Sequence, residues 1–244
     1  MAPPLPRAAA TESADLEDLV AAYPDFLDSF DNQFLYWRDG DRTPLRRASP
    51  ARTVGQVLDD PDIVDIFAWT YPLGETTAGP RPIGDPGRPR PAALFTRMYG
   101  DCRKGEVQRQ LTDVRWAGGH RLRFTRVNGA AGALGRVAED LDRLGPGYAK
   151  YLWPTSGTFN CRVIAGTSGA SMHAYGAAID LASRYGGYWR WGPPRGERLP
   201  PEVIHIFEQH GFIWGGKWAH YDTFHFEYRP EIILAARRTR PPAR

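Results

Sequence analysis

Residues 177–183, AAIDLAS, set a carboxylate in the middle of an otherwise apolar run, and no other stretch constrains this chain as much. The run reads as a buried strand presenting Asp180. Between Ile179 and Leu181 an ionised carboxylate is costly unless it is paired, hydrogen-bonded or bound to a cation. His173 lies seven positions earlier. Residues seven apart in an uninterrupted strand face opposite sides of a sheet, so the two can converge only if the chain bends between them. Gly176 is placed to supply that bend.

A second cluster occupies residues 215–230, GGKWAHYDTFHFEYRP. Phe224 and Phe226 flank His225, the pattern of a strand whose imidazole points away from two aromatic rings. Asp222 sits three positions earlier, with His220 and Glu227 close by. His173, Asp180 and His225 supply two imidazoles and one carboxylate, an ordinary three-ligand set for a catalytic Zn2+ that keeps a fourth position for water. Asp222 is then a spare carboxylate, available as general base. His220 is a rival ligand. Ser171 is either a substrate contact or a loop-capping hydroxyl, and Trp214 and Trp218 either wall a cleft or pack in the core.

The rest of the chain frames these clusters. Its 244 residues suit one large domain or a domain with an extension. A net charge of only +3, spread along the chain, argues against a nucleic-acid partner, which needs a concentrated basic face. No run reaches the roughly 20 apolar residues of a membrane span. The N-terminal stretch lacks the apolar core of a secretory leader, which leaves open a cytoplasmic protein or one whose leader has been removed. Residues 1–12 read as a disordered tail, 13–92 as an N-terminal extension, 93–235 as the catalytic domain and 236–244 as a basic tail. Residues 16–23 suggest a short amphipathic helix, followed by an aromatic-rich stretch at 26–37. Asp60 before Pro61 predicts a helix running to about Trp69. Residues 72–91 are dense in Pro and Gly and read as an irregular loop. Residues 111–127 alternate around Gly118 and Gly119 as a β-hairpin. Leu134, Val137, Leu141 and Leu144 fall at helical spacing before Gly145, and Val203, Ile204 and Phe207 do so between Pro201 and Gly211. Helices mixed with antiparallel strands make the fold class α+β, a small antiparallel sheet with flanking helices.

The run GTSGA, residues 166–170, approaches a serine-nucleophile elbow but lacks its closing glycine. There is no His-Glu-x-x-His helix and no phosphate-binding loop. Cys102 and Cys161 are either a disulfide or two buried thiols.

SMHAYGAAID fits the pattern Ser-x-His-x-x-Gly-x-Ala-x-Asp, and DTFHF fits Asp-x-x-His-Phe. Together they resemble the M15 zinc peptidases that cut peptidoglycan peptides, D-alanyl-D-alanine carboxypeptidases and L-alanyl-D-glutamate endopeptidases. The blocks GTFNCRVIAGT and MYGDCRKGEV resemble further stretches of that family, so the likeness runs over about residues 95–230. The resemblance implies the DD-peptidase/Hedgehog-type fold, with His173, Asp180 and His225 as zinc ligands. It implies Asp222 as general base, where many members carry Glu, and Arg162 as the cation that holds a substrate carbonyl or carboxylate and the oxyanion. It further implies substrate contacts at Ser171 and Trp218, stem peptides as substrate, a Cys102–Cys161 disulfide fixing Arg162, and an extracytoplasmic location. The non-catalytic alternative is a wall-peptide or protein-binding module of the same fold.

Overall fold

Apolar spacing places two helices, over residues 130–143 and 201–209, where the sequence predicts them, and their buried stripes define one of two packed clusters. The computed structural model describes residues 9–47, 52–77, 84–163, 169–191 and 198–239. In chain order it contains α1 (Ala9–Ala22), β1 (Leu27–Phe30), β2 (Phe34–Trp37), β3 (Arg42–Pro44), α2 (Val54–Asp59), α3 (Ala92–Tyr99), β4 (Leu111–Arg115) and β5 (Arg121–Thr125). There follow α4 (Ala130–Arg143), α5 (Ala149–Leu152), β6 (Ala178–Asp180), α6 (Pro201–Gln209), β7 (Phe212–Trp214), β8 (His225–Tyr228) and α7 (Pro230–Thr239). This is the expected α+β class.

The predicted stripe of α4, Leu134, Val137 and Leu141, is buried against Val203, Ile204 and Phe207 of α6. Phe124 of the β4–β5 hairpin and Phe226 of β8 close the same cluster. Gly145 (φ +91°) ends the α4 segment in a conformation that side chains rarely adopt. The sheet of β6, β7 and β8 is antiparallel, in the order β6-β8-β7, so β8 is paired on both sides.

The second cluster crosses residue 92. Leu16 and Leu19 of α1, Tyr23 just after it, Leu35 and Trp37 of β2, and Phe95 of α3 are buried with Tyr175, Ala178, Ile213 and Ile233. Residues 13–92 therefore share a core with the sheet that carries the site. Aromatic residues at 26–37 form two strands of a three-stranded antiparallel sheet, β1-β2-β3, with Leu35 and Trp37 inward and Phe34 and Tyr36 less buried.

Three boundaries differ from expectation. Residues 9–12 belong to α1 rather than to a tail, because Leu16 and Leu19 bury that helix. Residues 236–239 continue α7, with Ala236 buried and Arg238 ion-paired to Asp15 and Asp18. The helix predicted from Asp60 is instead a single 3-10 turn, Ile63–Phe67. Asp60 terminates α2, and Asp62 becomes the cap, its backbone N–H donating to Asp65 Oδ2 at 2.7 Å. Residues 1–8, 78–83 and 240–244 of the predicted tails and loop lie outside the described residues.

Cys102 and Cys161 form a disulfide across 59 positions, tying the turn after α3 to the segment that runs beside β6. Constraining a loop of that length in the unfolded chain is worth about 2–4 kcal/mol. The variant Cys102→Ser/Cys161→Ser is expected to lose that much in urea unfolding. A midpoint equal to that of the oxidised parent would contradict it.

Candidate metal centre

Register and one glycine bring the two sequence clusters together. In the β6–β8 ladder Asp180 lies directly opposite His225. Directly opposed residues of an antiparallel pair share one face, so carboxylate and imidazole meet without any loop contribution. His173 arrives from a 3-10 turn, Met172–Tyr175, capped by Ser171, whose Oγ accepts the His173 backbone N–H at 3.3 Å. Gly176 follows in the left-handed region (φ +66°), where a Cβ would come within 2.4 Å of Leu111. The bend expected at Gly176 is present, and only glycine fits it.

Three atoms converge: His173 Nε2, His225 Nδ1 and Asp180 Oδ1, separated by 3.2, 3.1 and 2.9 Å. Donors at about 2.0–2.1 Å around a tetrahedral ion lie about 3.3 Å apart, so this triangle has nearly the size of a zinc face. The outward ring nitrogens fix the tautomers. His173 Nδ1 donates to the carbonyl of Thr158 at 2.6 Å, and His225 Nε2 donates to Glu227 Oε2 at 2.8 Å. Both partners can only accept. The three inward atoms therefore present lone pairs to one another, and only a proton or a cation reconciles them. Among the described residues this is the one His/Cys/Asp/Glu group whose ligand atoms all lie within 4.8 Å.

The electrostatics follow from that convergence. Burial pushes the Asp180 carboxyl up, but its bonds to His173 and His225 outweigh this and hold it well below the usual range. Burial pushes His225 down, and its bonds to Asp180 and Glu227 more than offset this, lifting it to about 9. Burial raises Asp222 to about 7 against the opposing charge of His225. Asp222 Oδ1 is buried without a hydrogen-bond partner, a state that native structures seldom leave unexplained.

A cavity of about 270 Å³ opens over this cluster. Asp180, Asp222, His225 and Ser171 face it, with Arg162 and Trp218 on its walls. Ser171 is thus both a cap and a lining residue. Trp214 lies in the core, its Nε1 donating to the Thr223 carbonyl at 2.8 Å, so only Trp218 of the two tryptophans lines the cavity. His220 lines it without joining the triad, because its Nδ1 is held 2.8 Å from Asp85 Oδ2. Phe224 precedes β8 and stacks on Trp191 at the cavity wall, so Phe226 alone carries the expected core aromatic beside His225. Residues 166–168 of the GTSGA run lie outside the described residues.

The chain carries a support that the sequence clusters did not assign. Glu227, fully buried, accepts from His225, from Arg229 Nη1 at 3.1 Å and, through both oxygens, from Arg90. Arg229 is bonded in turn to Glu231, which also accepts from Tyr23, just after α1, at 2.7 Å. Burial works against the Glu227 charge, but Arg90 and His225 hold its carboxyl well below the ordinary range. The signal was the strand period, since His225 and Glu227 two apart share a face. Glu227→Gln keeps shape and loses the charged acceptor. It is expected to weaken zinc binding about 10- to 100-fold in competition with a chelating dye, and unaltered affinity would rule out a supporting role.

Residues 165–228 match a family model of the M15 peptidases described as D-alanyl-D-alanine carboxypeptidase. No curated protein and no solved structure matches the chain. The matched span holds His173, Asp180, Asp222 and His225 on the bend, ladder and turn just described, so the similarity to the M15 peptidases falls on the site itself.

Proposed function

We propose that the protein is a zinc-dependent peptidase that hydrolyses a peptide bond in the stem peptides of peptidoglycan. One observation carries the reading: three lone pairs meet within 3.2 Å, with both imidazoles locked in the tautomer that exposes them. Two imidazoles and a carboxylate suit Zn2+ better than the hard, oxygen-seeking Ca2+ or Mg2+. When bound, Zn2+ supplies Lewis acidity toward the scissile carbonyl and brings the pKa of a water to about 7.

The side chains do the rest. Asp222, beside the triad with a free Oδ1, takes a proton from water and returns it to the departing amine. A carboxyl raised to about 7 suits both halves of that transfer near neutrality. Arg162, on the cavity wall, offers its guanidinium to the substrate carbonyl and to the negative charge that develops on it. The disulfide at Cys161 anchors the residue next to it. Trp218, 5.5 Å from the His225 ring, gives the stem peptide a flat apolar wall. The disulfide also fits an oxidising, extracytoplasmic compartment, where the substrate lies.

His173→Ala and His225→Ala are expected to lose bound zinc and hydrolysis together, measured by elemental analysis and by mass spectrometry of digested wall peptides. Asp222→Asn is expected to retain zinc while kcat falls about 10²- to 10⁴-fold. Near-normal turnover in that variant would remove Asp222 as the base. Zinc binding without cleavage of any wall peptide by the parent would favour a binding module.

Zinc must displace the proton that His225 holds up to about pH 9 in the metal-free protein. Uptake at pH 8 is therefore expected to release at least about one proton, and affinity to fall as the pH is lowered. Calorimetry in buffers of different ionisation enthalpy counts the protons. Affinity independent of pH between 6 and 8 would contradict the assignment.

A further inference from the structure

The cavity over the triad carries three arginines. Arg162 also borders a neighbouring cavity of about 280 Å³ lined by Arg103 and Tyr175. Arg88 and Arg90 come from the Pro/Gly stretch, outside the matched span 165–228. Arg90 there is committed, since both oxygens of Glu227 bind it. Arg88 is not. Among the described residues its one carboxylate neighbour is Asp85, with Nη1 3.4 Å from Oδ1, and its guanidinium lies 5.9 Å from the ring of Trp218.

Asp85 is fixed from elsewhere. It is fully buried, and its two oxygens accept the backbone N–H of His220 at 2.9 Å and the ring Nδ1 of His220 at 2.8 Å. Trp218 is fixed too, its Nε1 donating to the carbonyl of Pro86 at 2.9 Å. The Arg88 side chain, only 12% exposed, is thus braced by a carboxylate and an indole that are themselves immobilised. Most of its N–H groups stay available on the cavity wall shared with Asp222 and His225. A guanidinium held in this way matches a carboxylate, which it can grip with two parallel bonds.

We propose that Arg88 is the receptor for the C-terminal carboxylate of the substrate, which makes the protein a carboxypeptidase rather than an endopeptidase. This rests on the peptidase reading above and adds which end of the peptide is bound. The bond to be cut lies over the triad, and the carboxylate of the last residue reaches Arg88 on the same cavity wall. Asp85, His220 and Trp218 are positioning residues for Arg88.

The test compares diacetyl-L-lysyl-D-alanyl-D-alanine with its C-terminal carboxamide on the zinc-loaded full chain. A site built for a charge rejects the analogue that lacks it, so the acid is expected to exceed the amide in kcat/KM by about 100-fold or more. Arg88→Gln is expected to collapse that preference to within about threefold, through KM more than kcat, with Arg88→Lys restoring part of it. Equal cleavage of both peptides by the parent, or a preference that survives Arg88→Gln, overturns the proposal. Thermal unfolding checks that the variants fold, and Asp85→Asn, which loosens Arg88 without removing it, gives an intermediate ratio. If the parent cleaves neither peptide, calorimetry with the same pair decides. Binding of the acid alone upholds the Arg88 receptor while the hydrolase reading falls, and equal or no binding of both overturns it.

Discussion

The buried carboxylate of Glu227 is the constraint on which the rest of the site depends. It has no exposed surface, and a carboxylate so placed stands only if its charge is met from several sides. Arg90, Arg229 and His225 meet it, and each draws in another part of the chain. Arg90 brings the segment after residue 84 against the sheet. Arg229 carries the network through Glu231 to Tyr23, at the end of the first helix. Removing one partner of such a set leaves a buried charge unanswered, typically at about 3–5 kcal/mol. Arg90 and Tyr23 are consequently part of what orients His225, the proposed ligand, and the shared hydrophobic cluster shows the same dependence in apolar terms.

Strand β8 turns that constraint into geometry. One of its faces carries His225 and Glu227, and the other sends Phe226 into the core, where it stacks on Phe207 of α6 at 3.9 Å. A slip of one residue would exchange imidazole for phenyl, so core packing and ligand placement enforce a single register. On the far edge of the sheet, the Asp180 backbone pairs with Gly157, and the Thr158 carbonyl accepts a hydrogen bond from His173 Nδ1. The Cys102–Cys161 disulfide holds the same segment from its other end. His173 and His225, the proposed imidazole ligands, are thus each oriented through the backbone and through an outer hydrogen bond.

What could be read from the sequence is what short-range pattern encodes. The ligands and Asp222 lie in two segments of about ten residues, where strand period and one glycine decide which side chains meet. The long helices were legible because apolar residues recur at their spacing. Arg88, Arg90 and Asp85 were not, since a Pro/Gly-rich stretch has no period and the Arg90–Glu227 pair spans 137 positions. The N-terminal strands β1, β2 and β3, three or four residues each, were too short for alternation to stand out from a plain aromatic run. His220 shows the converse. Its residue type fitted a ligand, but a buried aspartate from that unreadable stretch had already claimed its ring.

The two aspartates near the cavity floor divide the work through their surroundings alone. Asp180 and Asp222 are chemically identical and both are largely buried. Asp180 has two imidazoles within hydrogen-bonding reach, which keep it ionised and suited to hold a cation. Asp222 has one unpartnered oxygen, and burial together with the neighbouring Asp180 charge raises it toward neutrality. Pairs of like groups driven apart in this way mark which one binds and which one moves a proton. Exchanging the roles would require Asp222 to gain the imidazoles and Asp180 to lose them. The ladder that places Asp180 opposite His225 forbids this, so in the proposed site the division between ligand and base follows from the sheet register itself.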